Sequence, residues 1–510
     1  MDKDISSYFL KKILPGLDSI DHVTLLNGED LKIGLIDHGL FSEKMPTCFT
    51  SIGLSNLKSN WARDQITKRT KERDYIRYTA LRDIPIPREM GIPHPEPYII
   101  QAMFLSEHWK EIFTHCNRPK PKASQIHVKN LFDGRIFNMN YTAHDNEYHP
   151  EIETLRETAT YCCYADISNF FRSIYTHSIS WALHGKEFSK KNKRDTKGAI
   201  IDRLTRNIKD AETNGILIGP VSSNVISEII LTTIDYNLQE SGFVNFIRYI
   251  DDYHFFCKSR KEGNDFIRRL DQELKSFDLA LNTNKIKIEE NRYKESWTKT
   301  LKIESKRAIN STSAYKYIDS ALNIAKKEKT DAPISYALKT LSSKHICRYS
   351  KKDIFRFWLK ITEKKPYLSR FLHQYGIVNL RNRDTKLLLI RFINSITHIW
   401  IRDNATEAIS QLIYISVKEN IGKTVLSELQ TCQSIIKTKD CILICLLWEY
   451  ARKFKLVSFQ REITKFLIEN ENDKYWLLLY LVYDINKLEG IGQGFLADLK
   501  KSNFEFINFS

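Results

Sequence analysis

The stretch Phe243-Val-Asn-Phe-Ile-Arg-Tyr-Ile-Asp-Asp-Tyr-His-Phe-Phe-Cys257 decides how the rest of the chain is read. Aromatic and β-branched residues run up to two adjacent carboxylates, Asp251 and Asp252, and resume beyond them. The pattern predicts two strands joined by a tight turn, with the acids at the bend. Two acids at a turn are ordinary turn chemistry. They gain a second meaning only if the chain brings other oxygen ligands to them.

Working outward, Tyr161-Cys-Cys-Tyr-Ala-Asp-Ile167 is a short apolar run ending in an acid. It predicts a buried strand that delivers Asp166 at its end, with Ser168-Asn169 capping a helix over Phe170 to Leu183. Asn214-Gly-Ile-Leu-Ile-Gly-Pro220 is a Gly-bounded loop. Pro220 suits the first turn of a helix running to about Leu238, with Val225, Ile226, Ile229, Ile230 and Ile234 apolar. Beyond the hairpin, Asn264 to Phe277 predicts an amphipathic helix, and Leu279 to Ile288 a turn into a strand. A strand-end Asp166 beside a turn-borne Asp251 or Asp252 brings oxygen ligands together across neighbouring strands. Mg²⁺ favours such a site, completing its shell with substrate phosphate and water. Two ions about 3.5–4 Å apart would serve in-line phosphoryl transfer.

The N-terminal third is more mixed. A helix-like start at Ile5 to Leu14 is stopped by Pro15-Gly16, and Asn60 to Arg82 is densely basic, suiting either a helix along phosphates or a solvated face. Ile84 to Tyr98 holds five prolines and predicts extended loop. A helix follows over Tyr98 to Thr114, then a basic loop into a strand over Lys120 to Asn140. Past residue 310, helix-length apolar periodicity repeats with short loops, as in Asp384 to Ile401 and Lys439 to Phe454. An irregular helical-repeat domain or an ordinary helical bundle satisfies that pattern.

Composition sets the limits. The 510 residues are 42% hydrophobic and 27% charged, as in a globular protein, with aromatics at 12% for cores and base stacking. No apolar run approaches the roughly 20 residues of a membrane span, and Met-Asp-Lys-Asp does not open like a signal peptide. The nine Cys include no Cys-x-x-Cys pair, which points to a reducing compartment and no zinc site. A net charge of +16 suits a polyanionic partner, nucleic acid above all, although basic residues also serve simple solubility.

Taken together, these motifs resemble the reverse transcriptases and their right-hand palm. Tyr164-Ala-Asp-Ile-Ser-Asn-Phe-Phe-Arg-Ser-Ile174 resembles the first catalytic motif, and Tyr249-Ile-Asp-Asp252 the Tyr-x-Asp-Asp box. Gly215 to Pro220 resembles the template and nucleotide-pocket motif, and Leu281-Asn-Thr-Asn-Lys285 the motif that follows. The likeness covers roughly residues 85–288. It implies Asp166, Asp251 and Asp252 as catalytic acids that hold two Mg²⁺ ions (Mn²⁺ being the alternative), with Ile167 completing the metal site. It implies Lys285 as proton donor to the leaving pyrophosphate, Phe171 as the ring that excludes a ribose 2′-OH, and Gly219, Pro220 and Tyr249 around the nucleotide. Arg88 and Arg135 would grip the triphosphate of a dNTP substrate.

Ile92-Pro-His-Pro95, Ile226-Ser-Glu-Ile229 and the helical tail are similar to the abortive-infection (Abi) reverse transcriptases of phages and bacteria. That group implies phage defence, homo-oligomers, and protein-primed, template-independent synthesis of DNA attached to the protein, here with Tyr8 as the priming candidate. The expected fold is α+β: N-terminal segment and fingers over 1–160, palm over 161–305, and an all-α, HEAT-like repeat over 306–510. The expected location is the bacterial cytoplasm, away from membranes. Two alternatives stand beside this reading. One is a conventional RNA-templated enzyme of retron or group II intron type; the other is a non-catalytic nucleic-acid-binding scaffold.

Overall fold

The computed structural model describes residues 27–66, 70–119, 123–124, 126–128, 137–139, 150–291, 297–308, 310–342, 348–373 and 383–509. In chain order the first elements are α1 (Gly28–Ile36), α2 (Leu54–Gln65), β1 (Tyr75–Ala80), β2 (Arg88–Pro93), α3 (Pro95–Glu107), α4 (Trp109–Cys116), β3 (Ile126–Val128), β4 (Phe137–Met139) and α5 (Pro150–Thr158). Then come β5 (Tyr161–Asp166), α6 (Phe170–Ser173), α7 (Ser178–His184), α8 (Lys186–Lys191), α9 (Lys197–Asn207), α10 (Val221–Glu240), β6 (Phe246–Tyr249), β7 (Asp252–Cys257), α11 (Arg260–Ser276) and β8 (Lys287–Glu290). From Trp297 onward every described element is helical. The chain is therefore α+β, and its main sheet is antiparallel.

Two compact units share these elements. The first holds residues 1–40, 51–74 and 93–293; the second holds 41–50, 75–92 and 294–510. In the first unit the four-stranded sheet runs β6-β7-β5-β8, every pairing antiparallel. One face carries Phe246, Arg248, Tyr253 and Phe255 against α10 and α11. Phe266 of α11 stacks on Phe255 at 4.3 Å and lies 5.7 Å from Phe246. The opposite face carries Cys162, Ile247 and Phe256 in a small core with Tyr164 and Tyr249 at its margin. Alternation along each strand produces this division, since neighbouring residues point to opposite faces.

In the second unit β1 and β2 form a two-stranded sheet, and the helices bury Trp358, Trp400 and Trp476. Cys441 and Cys445, one helical turn apart, are buried free thiols with sulfurs 3.9 Å apart. Among the described residues no helix is long and apolar enough to cross a membrane.

Several expected elements differ. The basic stretch Asn60 to Arg82 is not one helix: α2 ends at Gln65, and Tyr75–Ala80 is strand, as its β-branched and aromatic residues favour. The proline-rich loop contains β2, whose only proline is its last residue, where no further ladder bond is needed. Helix α3 begins at Pro95, because a proline needs no N–H in the first turn and the His94 ring accepts from Glu96 N–H. The helix expected over Phe170 to Leu183 breaks at Ile174. There the backbone turns extended, and the Ile174 carbonyl accepts from Gly215 N–H at 2.7 Å.

Candidate metal-binding active site

The β6–β7 hairpin closes in two residues, Ile250 and Asp251, so Asp252 is the first residue of β7. Ile250 sits at φ +55°, a conformation that costs a β-branched residue and serves a right-twisted hairpin. In the antiparallel register Asp252 lies opposite Asp166, the last residue of β5, and opposite Tyr249 on its other side. Asp166, Asp251 and Asp252 each present a carboxylate oxygen within 4.8 Å of the others. Asp166 is buried, Asp251 half-buried and Asp252 exposed, so the cluster opens toward solvent on one side.

Backbone bonds tie these residues to one another. Ile167 N–H donates to the Asp251 carbonyl at 3.2 Å, linking the strand end to the turn. Asn282 holds Asp166 twice, its N–H on the Asp166 carbonyl at 2.8 Å and its side-chain amide on Oδ2 at 3.2 Å. Lys285 Nζ reaches the same Oδ2 at 2.8 Å from a short 3₁₀ turn, Thr283–Lys285. Asn282 lies inside the Leu281–Lys285 stretch, yet sequence reading missed it: a polar turn residue looks alike whether it clamps a neighbour or faces water.

Although the residue is exposed as a whole, partial burial of its carboxyl first, then a hydrogen bond with Asp166 and the negative charge of Asp251 and Asp166, push Asp252 up to about 7, and Lys285 opposes the shift. Water reaches Asp252, so screening limits the effect, and its direction is what bears on chemistry. The bond to Asp166 raises the Lys285 ammonium above its ordinary value, keeping it charged. Three carboxylates crowded this closely repel unless a cation joins them.

The Gly215–Pro220 loop is joined to α6. Ile216 N–H donates to the Phe171 carbonyl at 2.8 Å, and Tyr175 bridges to Asn214. Gly215, at φ +78°, lies against this turn: a Cβ there would sit 2.8 Å from the Arg172 carbonyl oxygen. Gly219 takes φ +134°, and Pro220 occupies the N-cap of α10, one residue earlier than expected. Phe171 is half-buried, while Phe170 fills the core, their rings 5.3 Å apart. Tyr249 packs edge-on to His254 at 5.2 Å, and His254 to Tyr164 at 4.8 Å, on the face that bears the acids. Burial pushes the Tyr249 phenol up to about 12.

The first unit thus gathers Asp166, Ile167, Asp251, Asp252 and Lys285 in one place, and joins the Phe171 turn to the Gly215–Pro220 loop. Arg88 opens β2 in the second unit, where it and Arg370 add to the burial that lowers Lys44 to about 8. Tyr8 and Arg135 lie outside the described residues.

No curated protein sequence matches the chain. Among solved structures, it is similar to telomerase from Candida albicans in complex with a TWJ fragment of telomeric RNA. That likeness has 10% identity and a TM-score of 0.32, covering 68% of this chain and 65% of that one. Apo telomerase from Candida tropicalis is similar at 11% identity and a TM-score of 0.32, with 85% of this chain and 76% of that one covered. Residues 119–330, about two fifths of the chain, match the family model described as reverse transcriptase (RNA-dependent DNA polymerase). The acid-bearing sheet falls inside that stretch, and over it the protein is similar to reverse transcriptases.

Proposed function

We propose that the first unit catalyses transfer of deoxynucleotides to a growing DNA end, using divalent metal held by Asp166, Asp251 and Asp252. The convergence of three carboxylate oxygens within 4.8 Å, from a strand end and a hairpin turn, carries this reading. The donor set fits: hard oxygen ligands with one open side suit Mg²⁺, with Mn²⁺ next, and among the described residues no softer ligand belongs to the cluster. When bound, such ions supply positive charge to the phosphoryl oxygens and lower the pKa of an attacking hydroxyl. A scaffold that only binds nucleic acid needs no such cluster.

The remaining roles extend the resemblance to reverse transcriptases. Asn282 orients Asp166. Lys285, held charged beside Asp166, is the proton donor to departing pyrophosphate. The Phe171 ring, Gly219 and Pro220 are assigned to the sugar side of the nucleotide, and Tyr249 to the growing end. Ile167, through its bond to the Asp251 carbonyl, keeps the strand end in register with the turn. Arg88 and Arg135 are assigned to the triphosphate and Tyr8 to priming.

The finer reading extends the resemblance to abortive-infection enzymes: phage defence in the bacterial cytoplasm, a HEAT-like helical region, a homo-oligomer, and self-primed DNA made without a template. The test incubates purified protein with dNTPs and Mg²⁺ alone, then separates it after SDS and heat. Labelled DNA travelling with the protein is expected; its absence overturns self-priming. The description of the matching family favours the second reading, RNA-templated synthesis, which the same assay measures once RNA template and primer are added.

A further inference from the structure

Beneath the acid-bearing turn lies a charged cluster that metal binding and nucleotide transfer do not require. Arg248 on β6 is fully buried. Its Nε and Nη2 donate to both oxygens of Asp235 on α10, at 2.7–3.0 Å. Nη1 and Nη2 donate to Glu228, about two helical turns earlier, at 2.8 and 3.2 Å. Tyr253, opposite Arg248 on β7, donates its hydroxyl to Asp235 at 2.9 Å. Asp235 and Tyr253 are as buried as Arg248, and Glu228 nearly so.

A buried ion cluster of this kind adds little net stability over an apolar core of the same volume. Its geometry does something an apolar core cannot. The same Nη1 that meets Glu228 also donates to the carbonyl of Ile250 at 2.8 Å. That carbonyl belongs to the peptide leading into Asp251, and Ile250 is the residue held at φ +55°. The turn is thus pinned at two successive carbonyls, Ile250 by Arg248 from the core side and Asp251 by Ile167 N–H from β5. Glu228 and Asp235 in turn hold the guanidinium plane at a fixed angle to the sheet.

We propose that Arg248, locked by Glu228, Asp235 and Tyr253, is a positioning residue that holds the Ile250–Asp251 turn in its strained conformation so that Asp251 meets Asp166 and Asp252 at the metal site. This rests on the metal-site reading above. A lysine at position 248 keeps the charge but cannot reach two acids and the carbonyl at once. Glycine at position 250 adopts the left-handed conformation freely and so makes the clamp less necessary.

The test measures Mn²⁺ uptake by the full-length protein, without nucleotide, from the electron paramagnetic resonance of free Mn²⁺. Asp251→Asn should bind clearly more weakly than wild type. Arg248→Lys, still showing cooperative unfolding, should bind about tenfold more weakly, the low end for loss of a supporting contact around a metal site. Adding Ile250→Gly to Arg248→Lys should restore binding to within about threefold, which a merely structural role for Arg248 would not do. If Arg248→Lys fails to fold, Tyr253→Phe replaces it, with binding weakened in the same direction. Wild-type binding by Arg248→Lys or its substitute, beside a defective Asp251→Asn, overturns the positioning role alone. A defect that Ile250→Gly leaves unchanged also overturns it. Equal uptake by wild type and Asp251→Asn overturns the metal-site reading, and the positioning role with it.

Discussion

Asp252 follows Asp251 in the chain and faces Asp166 across the sheet, so each carboxylate is felt by two others. The Asp252 carboxyl is pushed up to about 7 from an ordinary value of 3.8. The folded, metal-free protein therefore holds a proton there that the unfolded chain has released between those values. This group's contribution to stability is full below pH 3.8 and is lost as pH rises through about 7. Metal binding runs the other way, since the ion requires the ionised acid. Mg²⁺ affinity should rise with pH up to about 7 and then level, which isothermal titration at several pH values would read; affinity flat from pH 5 to 8 would contradict it. At Phe171, removal of the ring by Phe171→Ala should lower discrimination against ribonucleotides by roughly tenfold or more in kcat/KM, measured as a ratio of rNTP to dNTP incorporation. The three acids that converge were legible because each falls in a short run of distinctive chemistry. Asn282 and Arg248 were not: both sit inside the quoted stretches, but their roles depend on partners as far away in sequence as Asp166, Glu228 and Asp235.

At the scale of elements, the two acid-bearing strands were plain from their apolar and aromatic runs and α10 from its period-3.6 pattern, and Val225, Ile226, Ile229, Ile230 and Ile234 are all buried. What sequence hid was where hydrogen bonding overrides local preference. The run after Phe170 has helical periodicity, yet the Ile174 carbonyl and the Tyr175 backbone are taken by the Gly215 loop and its neighbour Asn214, and the helix splits. Gly215→Ala tests that junction. Its φ of +78° and the 2.8 Å approach to the Arg172 carbonyl leave no room for a Cβ. The variant should lose about 1–3 kcal/mol in denaturant unfolding, the usual cost of a strained backbone position, and no measurable change would contradict the packing. Phe266→Ala, which empties the site stacked on Phe255, should cost about 3–5 kcal/mol by the same measurement.

For the whole molecule, chain order and compact units do not coincide. Residues 41–50 and 75–92 cluster with the helices beyond 294, so Thr79 meets Thr406 and the Leu81 carbonyl meets Arg370. A reading that moves along the sequence cannot see pairings over roughly 300 residues, because nothing local in 75–92 names its partner. The net charge of +16, by contrast, is visible at once. If nucleic acid is the partner, single-stranded DNA affinity should fall steeply with salt, log K declining with log salt at about 0.7 per phosphate neutralised; binding that ignores salt would contradict an electrostatic footprint. If the three clustered acids make this chain a metal-dependent nucleotidyl transferase, removing two of them abolishes nucleotide incorporation. Incorporation of labelled dNTP by wild type and by Asp251→Asn/Asp252→Asn, in Mg²⁺ and with unfolding transitions compared, tests it most directly. Synthesis by wild type alone, with both proteins folded, is the predicted result, and synthesis retained by the double variant would contradict it.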